Sequence, residues 1–325
     1  MLGNVKFIAL IFAVFTANIL SGCAVYVPVT APTQPLEETT VSGEGKDKVL
    51  VVDITGLISD RKKRGPLRLG SRPSMVARIK EELEKAREDD DIKALVLRIN
   101  SPGGTVTASD IIYHEVKKFK KEKGVKVVAS IMGLGTSGGY YAAAAADKIV
   151  AHPTGVTGSI GVILLKVNMK GLMEKIGIED ESVKSGDKKD SVLPFRAMSP
   201  EERELLQGVI DSLLQRFVAV VEESRPGVDL KSRRELTDGR VFTAQQALEL
   251  GFVDKLGYLD DAIELAEQEV GIEEAKVVMY KRPAAYKNNI YSLGEDVPEA
   301  ASFISSELAG FGRALNPDFM YLWLP

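Results

Sequence analysis

The chain has 325 residues, 45% hydrophobic and 27% charged, enough for one large domain or two small ones. A formal net charge of −4 leaves no basic excess of the kind that holds a nucleic-acid backbone. The single cysteine, Cys23, excludes an internal disulfide, and two histidines, His114 and His152, without a second cysteine do not make a structural zinc site.

The first element in chain order is a targeting segment. Lys6 and the α-amino group give a weakly basic start, and Phe7 to Leu20 is apolar. That run is shorter than the roughly 20 residues of an ordinary membrane span. It ends in Leu20-Ser21-Gly22-Cys23, which resembles a bacterial lipobox, whose cysteine is lipidated on sulfur and becomes residue one of the mature protein. The alternative is an uncleaved signal anchor with an incidental cysteine. Cleavage before Cys23 removes Lys6 and no acid, taking the charge from −4 to −5. Ala24, rather than Asp, follows the cysteine; in two-membrane envelopes this resembles the pattern sent on to the outer membrane. The expected location is the cell envelope, facing the periplasm or extracytoplasmic space.

Residues 1–22 thus read as signal peptide and 23–47 as a lipid-anchored cysteine and flexible tether. Pro28, Pro32 and Pro35 stand there among Thr, Glu and Gly without an apolar period. In polyproline form, at about 3.1 Å per residue, the tether reaches roughly 70 Å.

From residue 48 to 282 the pattern is that of a domain. Val49 to Ile54 is a nearly continuous apolar run, as for a strand covered on both faces. The basic loop Arg61-Lys62-Lys63-Arg64, with Arg68 and Arg72, reads as a solvated loop or as a contact for anionic lipid head groups. Met75 to Arg87 is amphipathic through Met75, Val76, Ile79, Leu83 and Ala86. Ala94 to Ile99 is a second buried strand, and Thr107 to Lys121 a helix with Thr107 and Asp110 spaced as a cap and its acidic companion. Lys126 to Met132 is a third strand, and Ser137 to Ala146 a third helix. Ser199-Pro200-Glu201-Glu202 starts a helix running to about Ser224. Helices follow at Thr243–Leu250 and Leu259–Val270, then a strand at Lys276–Tyr280. The alternation predicts an α/β fold around a largely parallel sheet. Residues 283–325 read as a C-terminal tail, without clear order until the apolar Phe319 to Leu324. That end has four destinations: a neighbouring subunit, lipid, the peptide groove as a product mimic, or its own domain.

Ser137 lies after a β-type run and a Gly133–Gly135 turn, at the opening of an alanine-rich helix. Helix N-termini present free N–H groups, and Gly138 and Gly139 let a substrate backbone approach. Ser137 is therefore a candidate nucleophile; its plainer reading is a helix cap. Asn100-Ser101-Pro102-Gly103-Gly104 joins a strand to a helix, where amides can face a developing oxyanion; its plainer reading is a Pro-Gly-Gly turn. A nucleophilic serine needs a base. His114 and His152 allow a Ser–His–acid triad on paper but have no distinctive setting. A lysine serves only if burial or nearby positive charge brings its pKa toward neutrality, and a carboxylate partner opposes that. The residues alone do not choose among the many lysines.

Gly135-Thr136-Ser137-Gly138-Gly139-Tyr140-Tyr141, the upstream Asn-Ser-Pro-Gly-Gly, Thr157-Gly158-Ser159-Ile160-Gly161, Lys184-Ser185-Gly186 and Asp238-Gly239-Arg240-Val241-Phe242-Thr243-Ala244 together resemble the SppA-type signal peptide peptidases. The resemblance covers roughly residues 48–282, with five motifs in family order. It implies a ClpP/crotonase-like α/β fold with a parallel sheet core, and a Ser–Lys dyad that needs no metal or cofactor. It assigns Ser137 as nucleophile, Lys189 as general base, with Lys184 and Lys188 nearby, and Ser159 as the residue that orients the lysine. Gly103, Gly104 and Gly138 supply the oxyanion hole. It also implies peptide substrates, apolar S1 and S3 pockets and a homo-oligomer in which one subunit's serine can meet a neighbour's lysine. This chain departs from long members in having one catalytic repeat, and from many relatives in its lipobox. Two rival readings are a tethered peptide-binding scaffold with a decayed site and a crotonase-type acyl-CoA enzyme. The intact serines and lysine oppose the first; the envelope signal opposes the second.

Overall fold

Apolar runs without alternation, such as Val49 to Ile54 and Ala94 to Ile99, need cover on both faces, and they become the central strands. The computed structural model describes residues 35–61, 63–64, 71–230, 234–282 and 318–324. It divides into two compact units, Gln34–Lys63 with Pro73–Pro325, and Met1–Thr33 with Arg64–Arg72. Only Arg64, Ser71 and Arg72 of the second unit are among the described residues; the main sheet and the helices that cover it belong to the first. Cys23, the apolar start, Lys62 and Arg68 lie outside the described residues. Among the described residues, no helix is long and apolar enough to cross a membrane.

The elements in order are β1 (Glu37–Ser42), β2 (Lys48–Thr55), α1 (Met75–Arg87), β3 (Ile92–Ser101), β4 (Gly103–Thr105), α2 (Val106–Lys123), β5 (Lys126–Thr136), α3 (Gly138–Ala143), β6 (Lys148–Ala151) and β7 (Val156–Gly158). Then come β8 (Ile163–Leu164), α4 (Lys170–Ile176), α5 (Pro200–Ser224), β9 (Val241–Thr243), α6 (Ala244–Glu249), β10 (Lys255–Leu256), α7 (Leu259–Val270), β11 (Lys276–Lys281) and β12 (Phe319–Leu322). The main sheet runs β1-β11-β2-β3-β5-β6-β10, with β7 beside the end of β5 and β9 beside β7. All its pairings are parallel except β1 with β11 and β9 with β7. The α/β expectation therefore holds.

Alternate residues of one strand serve opposite cores. Leu50, Val52, Ile54, Leu95, Leu97 and Ile99 pack with α1, α2 and α3. Val49, Val51, Ala94 and Val96 pack against Leu259, Ala262, Ile263 and Ala266 of α7. Between β2 and β3, Asp53 and Arg98 sit opposite in register and form a buried ion pair.

Three boundaries differ from the sequence reading. Thr105 rather than Thr107 caps α2, its Oγ1 accepting from Ala108 N at 3.3 Å. The alanine-rich helix is short, Gly138–Ala143, and turns at once toward β6. Residues 37–42, within the expected tether, form an edge strand antiparallel to β11. The Ser199 start of α5 is as read: a full capping box with Glu202 and Pro200 in the first turn.

The apolar tail end docks on its own domain. β12 is the middle strand of a second, three-stranded sheet, antiparallel both to β4, which is Gly103-Gly104-Thr105, and to β8. The loop suspected of holding an oxyanion thus has a strand beside it. Asp318, just before that strand, pairs with Arg61 of the basic loop at 2.7 Å.

Candidate active site

β5 splits its partners: Val128 to Ile131 pair with β6, and Leu134 to Thr136 pair with β7. Glycines 133 and 135 fall where the strand changes neighbour; at Gly135 a Cβ would lie 2.7 Å from the Ile131 side chain. The register sets Thr136 opposite Gly158, so the next residues, Ser137 and Ser159, leave adjacent strand ends together. These two serines are the only non-glycine residues with positive φ among the described residues, at 53° and 51°. Such backbone costs on the order of 1–3 kcal/mol and needs the surroundings to enforce it. Here Ser137 N–H donates to Gly158 O at 2.7 Å, Ser159 N–H donates to Arg240 O at 2.7 Å, and Tyr141 N–H donates to Ser137 O at 2.9 Å.

Ser137 occupies the cap position of α3, but its side chain makes no capping bond. The residue is 1% exposed, and its Oγ is buried without any hydrogen-bond partner among the described residues. A hydroxyl kept from water and from every acceptor is costly unless it has other use. The plainer reading of Ser137 as a cap is therefore overturned.

The glycines of the neighbouring loop close on this point. Gly103 has φ +105°, and a Cβ there would stand 2.8 Å from Gly138 N and 2.0 Å from Tyr321 O. A Cβ on Gly138 would stand 2.4 Å from Ser109 Oγ and 3.1 Å from both Gly104 N and Tyr321 O. Gly103, Gly104 and Gly138 thus converge beside Ser137, and side chains are excluded. The Gly103 N–H is engaged, donating to Ser101 Oγ at 3.1 Å. Tyr321 of β12 is fully buried over this region, its ring stacked on Tyr141 at 5.1 Å, 4.6 Å from the Phe217 ring, its hydroxyl donating to Leu213 O at 2.8 Å. Sequence reasoning missed this aromatic cluster, because its members come from α3, α5 and the far end of the chain.

The lysines separate by partner. Lys184 Nζ sits 2.5 Å from Asp190, and Lys188 Nζ 2.6 Å from Glu201. Lys189 is exposed, and among the described residues its side chain has neither hydrogen bond nor ion pair; in particular it does not reach Ser137 or Ser159. The structure therefore brings together Ser137, Ser159, Gly103, Gly104 and Gly138 and leaves Lys189 outside that group. Lys166, just past β8, donates to Ser191 O at 2.6 Å; burial, then the nearby Arg196 guanidinium, hold its pKa below the ordinary lysine value. Neither histidine hydrogen-bonds the Ser137 hydroxyl: His152 pairs with Thr154 and packs on Tyr258, and His114 is exposed on α2. The Ser–His–acid triad is thereby set aside.

A family model described as Peptidase family S49 matches residues 119–273, and one described as Clp protease matches residues 71–166. A provisionally named signal peptide peptidase SppA from Enterococcus faecium is 37% identical over 75% of this chain and 70% of its own length. A provisionally named protease from Synechocystis is 38% identical over 71% of this chain and 78% of its own. The chloroplastic serine protease SPPA of Arabidopsis thaliana is 32% identical over 84% of this chain and 39% of its own. Among solved structures, a serine-to-alanine mutant of the membrane-bound stomatin-specific protease 1510-N aligns with a TM-score of 0.41 and 16% identity, covering 68% of this chain and 85% of that one.

Proposed function

Because this chain belongs to peptidase family S49 and is a serine peptidase, we propose that it is an envelope endopeptidase with a Ser137–Lys189 dyad, tethered through a lipidated Cys23 and acting on cleaved signal peptides and other short hydrophobic peptides. One observation carries the dyad's serine: a buried, unpartnered hydroxyl on strained backbone, at the meeting point of three close-packed glycines.

Neutral Lys189 takes the proton from Ser137 Oγ as that oxygen attacks the scissile carbonyl. Ser159, leaving the neighbouring strand end, orients the lysine by hydrogen bond. The tetrahedral oxyanion is held by amides of the Gly103–Gly104 loop and of Gly138; one such donor is worth on the order of 3 kcal/mol in other enzymes. Lys189 returns the proton to the leaving amine, and water, deprotonated in turn, frees the acyl group. Lys184 and Lys188 are each already engaged by a carboxylate, whereas the Lys189 ammonium is left available among the described residues. The slot filled by β12 supports a peptide substrate: an extended chain adds there between β4 and β8 by main-chain pairing.

The active form is a homo-oligomer in which a second copy supplies the lysine. Seven of the nine exposed large apolar residues among the described residues (Val167, Leu172, Ile176, Ile178, Val183, Leu205 and Val209) lie on the arm bearing Lys189 or on the start of α5. Such a concentration suits contact with another copy.

The test uses detergent-solubilised full chain with a synthetic signal peptide, read by mass spectrometry. Internal cleavage beside apolar residues by the wild type, absent in Ser137→Ala, is expected. An intact peptide after incubation with folded, assembled wild type overturns the substrate assignment. Cys23→Ser is expected to move the chain from the membrane to the soluble fraction; retention at the membrane contradicts the lipid tether.

A further inference from the structure

The stretch from Gly161 to Glu201 carries Lys189, yet it has almost no core. Only Asp190 and Pro194 within it are buried, and α4 buries nothing. Apolar packing does not fix the base, whereas proton transfer requires placement within hydrogen-bond reach. Arg196 supplies another kind of fixation. Its Nη2 and Nη1 fork onto Glu202 at 2.5 and 2.9 Å. Nη2 also meets Asp190 Oδ1 at 2.6 Å and donates to the Asp187 carbonyl at 3.0 Å. Glu202 is 3% exposed and, as part of the α5 capping box, accepts Ser199 N–H at 2.8 Å. Residues 187 and 190, on either side of Lys188 and Lys189, are thereby tied through one guanidinium to the first turn of α5.

We propose that Arg196 is the positioning residue for Lys189: it locks the 187–190 turn to the start of α5 and keeps the Asp190 carboxylate off the adjacent lysine. This inference rests on the Ser137–Lys189 dyad proposed as the catalytic pair. The second half of the role follows from chain order. Asp190 is the carboxylate next in sequence to Lys189, and Arg196 and Lys184 occupy both its oxygens. Without Arg196, Asp190 has an oxygen to offer Lys189, and a carboxylate there stabilises the protonated lysine and weakens the base. The other charged groups around the turn are Lys184, Asp187 and Lys188 on the turn itself, Glu201, Glu202 and Arg203 on α5, and Lys166 beyond β8.

The experiment follows the rate at which a peptidyl fluorophosphonate labels Ser137, against pH, in the assembled full chain. The variants are Arg196→Gln, Arg196→Gln with Asp190→Asn, and Lys189→Ala. Arg196→Gln is expected to label about tenfold slower near neutral pH, with its pH–rate profile displaced upward by about one unit. Adding Asp190→Asn is expected to bring the profile back toward the wild type while leaving part of the rate loss. An unchanged profile and rate in folded Arg196→Gln overturns the proposal, and so does a uniform loss at every pH with no displacement, which marks a structural role only. Should Arg196→Gln not fold, Arg196→Lys takes its place; it keeps the charge but not the fork, so a smaller upward displacement is expected and an unshifted profile overturns the proposal. Wild-type labelling in Lys189→Ala sinks the dyad itself, whatever Arg196→Gln does. Lys189→Ala silent with Arg196→Gln unaltered sinks this inference alone.

Discussion

At the scale of single residues, the site is a set of exceptions held by their neighbours. Ser137 adopts φ 53° and ψ −117°, a backbone that a glycine tolerates and a serine does not favour. Ser137→Gly is therefore expected to unfold at higher denaturant than Ser137→Ala, with a difference of about 1 kcal/mol, although both lack the Ser137 hydroxyl. Equal stability of the two would mean that the backbone is not strained there. The convergence of the serine and the glycines was legible in the sequence through their types and order: small residues where backbones approach closely, and a hydroxyl after a strand. The strain and the unpartnered Oγ were not legible, since they depend on Gly158 and Arg240 lying beside the serine turns. Lys189 was named only through family resemblance. Its distinction from Lys184 and Lys188 is a matter of which carboxylates reach which ammonium, and spacing does not encode that.

At the scale of elements, the C-terminal strand lies directly beside the glycine loop of the candidate site. β12 pairs between β4 and β8, and the Tyr321 ring packs against Tyr141 and Phe217. Removing residues 318–325 is expected to lower KM for an extended hydrophobic peptide several-fold, because the substrate no longer competes with a tethered strand. The same deletion is expected to cost on the order of 3 kcal/mol in stability, through the loss of a fully buried tyrosine. Steady-state kinetics with an unchanged KM would contradict the view of this strand as an occupant of the peptide slot. The apolar end of the tail stood out in the sequence, but its destination did not. Strand partners more than 150 residues away leave no local trace, and neither does the pairing of residues 37–42 with β11.

At the scale of the whole molecule, the alternation of buried strands and amphipathic helices made the α/β architecture readable. Each central strand displays one residue set to α1, α2 and α3 and the other to α7. Short elements such as β6 to β10 escaped because two to four residues carry no period. Overall stability carries a pH signature from α1. Burial pushes the Glu82 carboxyl up to about 7 against the opposing Arg78, whereas an unperturbed glutamate sits at 4.5. Between those values the folded chain holds a proton that the unfolded chain has released, so stability falls as pH rises through this window. Integrated over this window, the buried group accounts for a change on the order of 3 kcal/mol. Asp190 and Glu202, whose carboxyls the Arg196 hydrogen bonds hold below their ordinary values, act with the opposite sign at lower pH. Glu82→Gln is expected to flatten the slope in denaturation measured from pH 4.5 to 7. The same slope in wild type and variant would show that Glu82 does not set it.

The Ser137–Lys189 dyad is best tested by mass-spectrometric mapping of a peptidyl fluorophosphonate on the assembled chain. Label is expected on Ser137 and absent from Ser137→Ala, with a rate in folded Lys189→Ala lower by roughly a hundredfold or more. Label on another residue, or an undiminished rate in Lys189→Ala, would overturn the dyad.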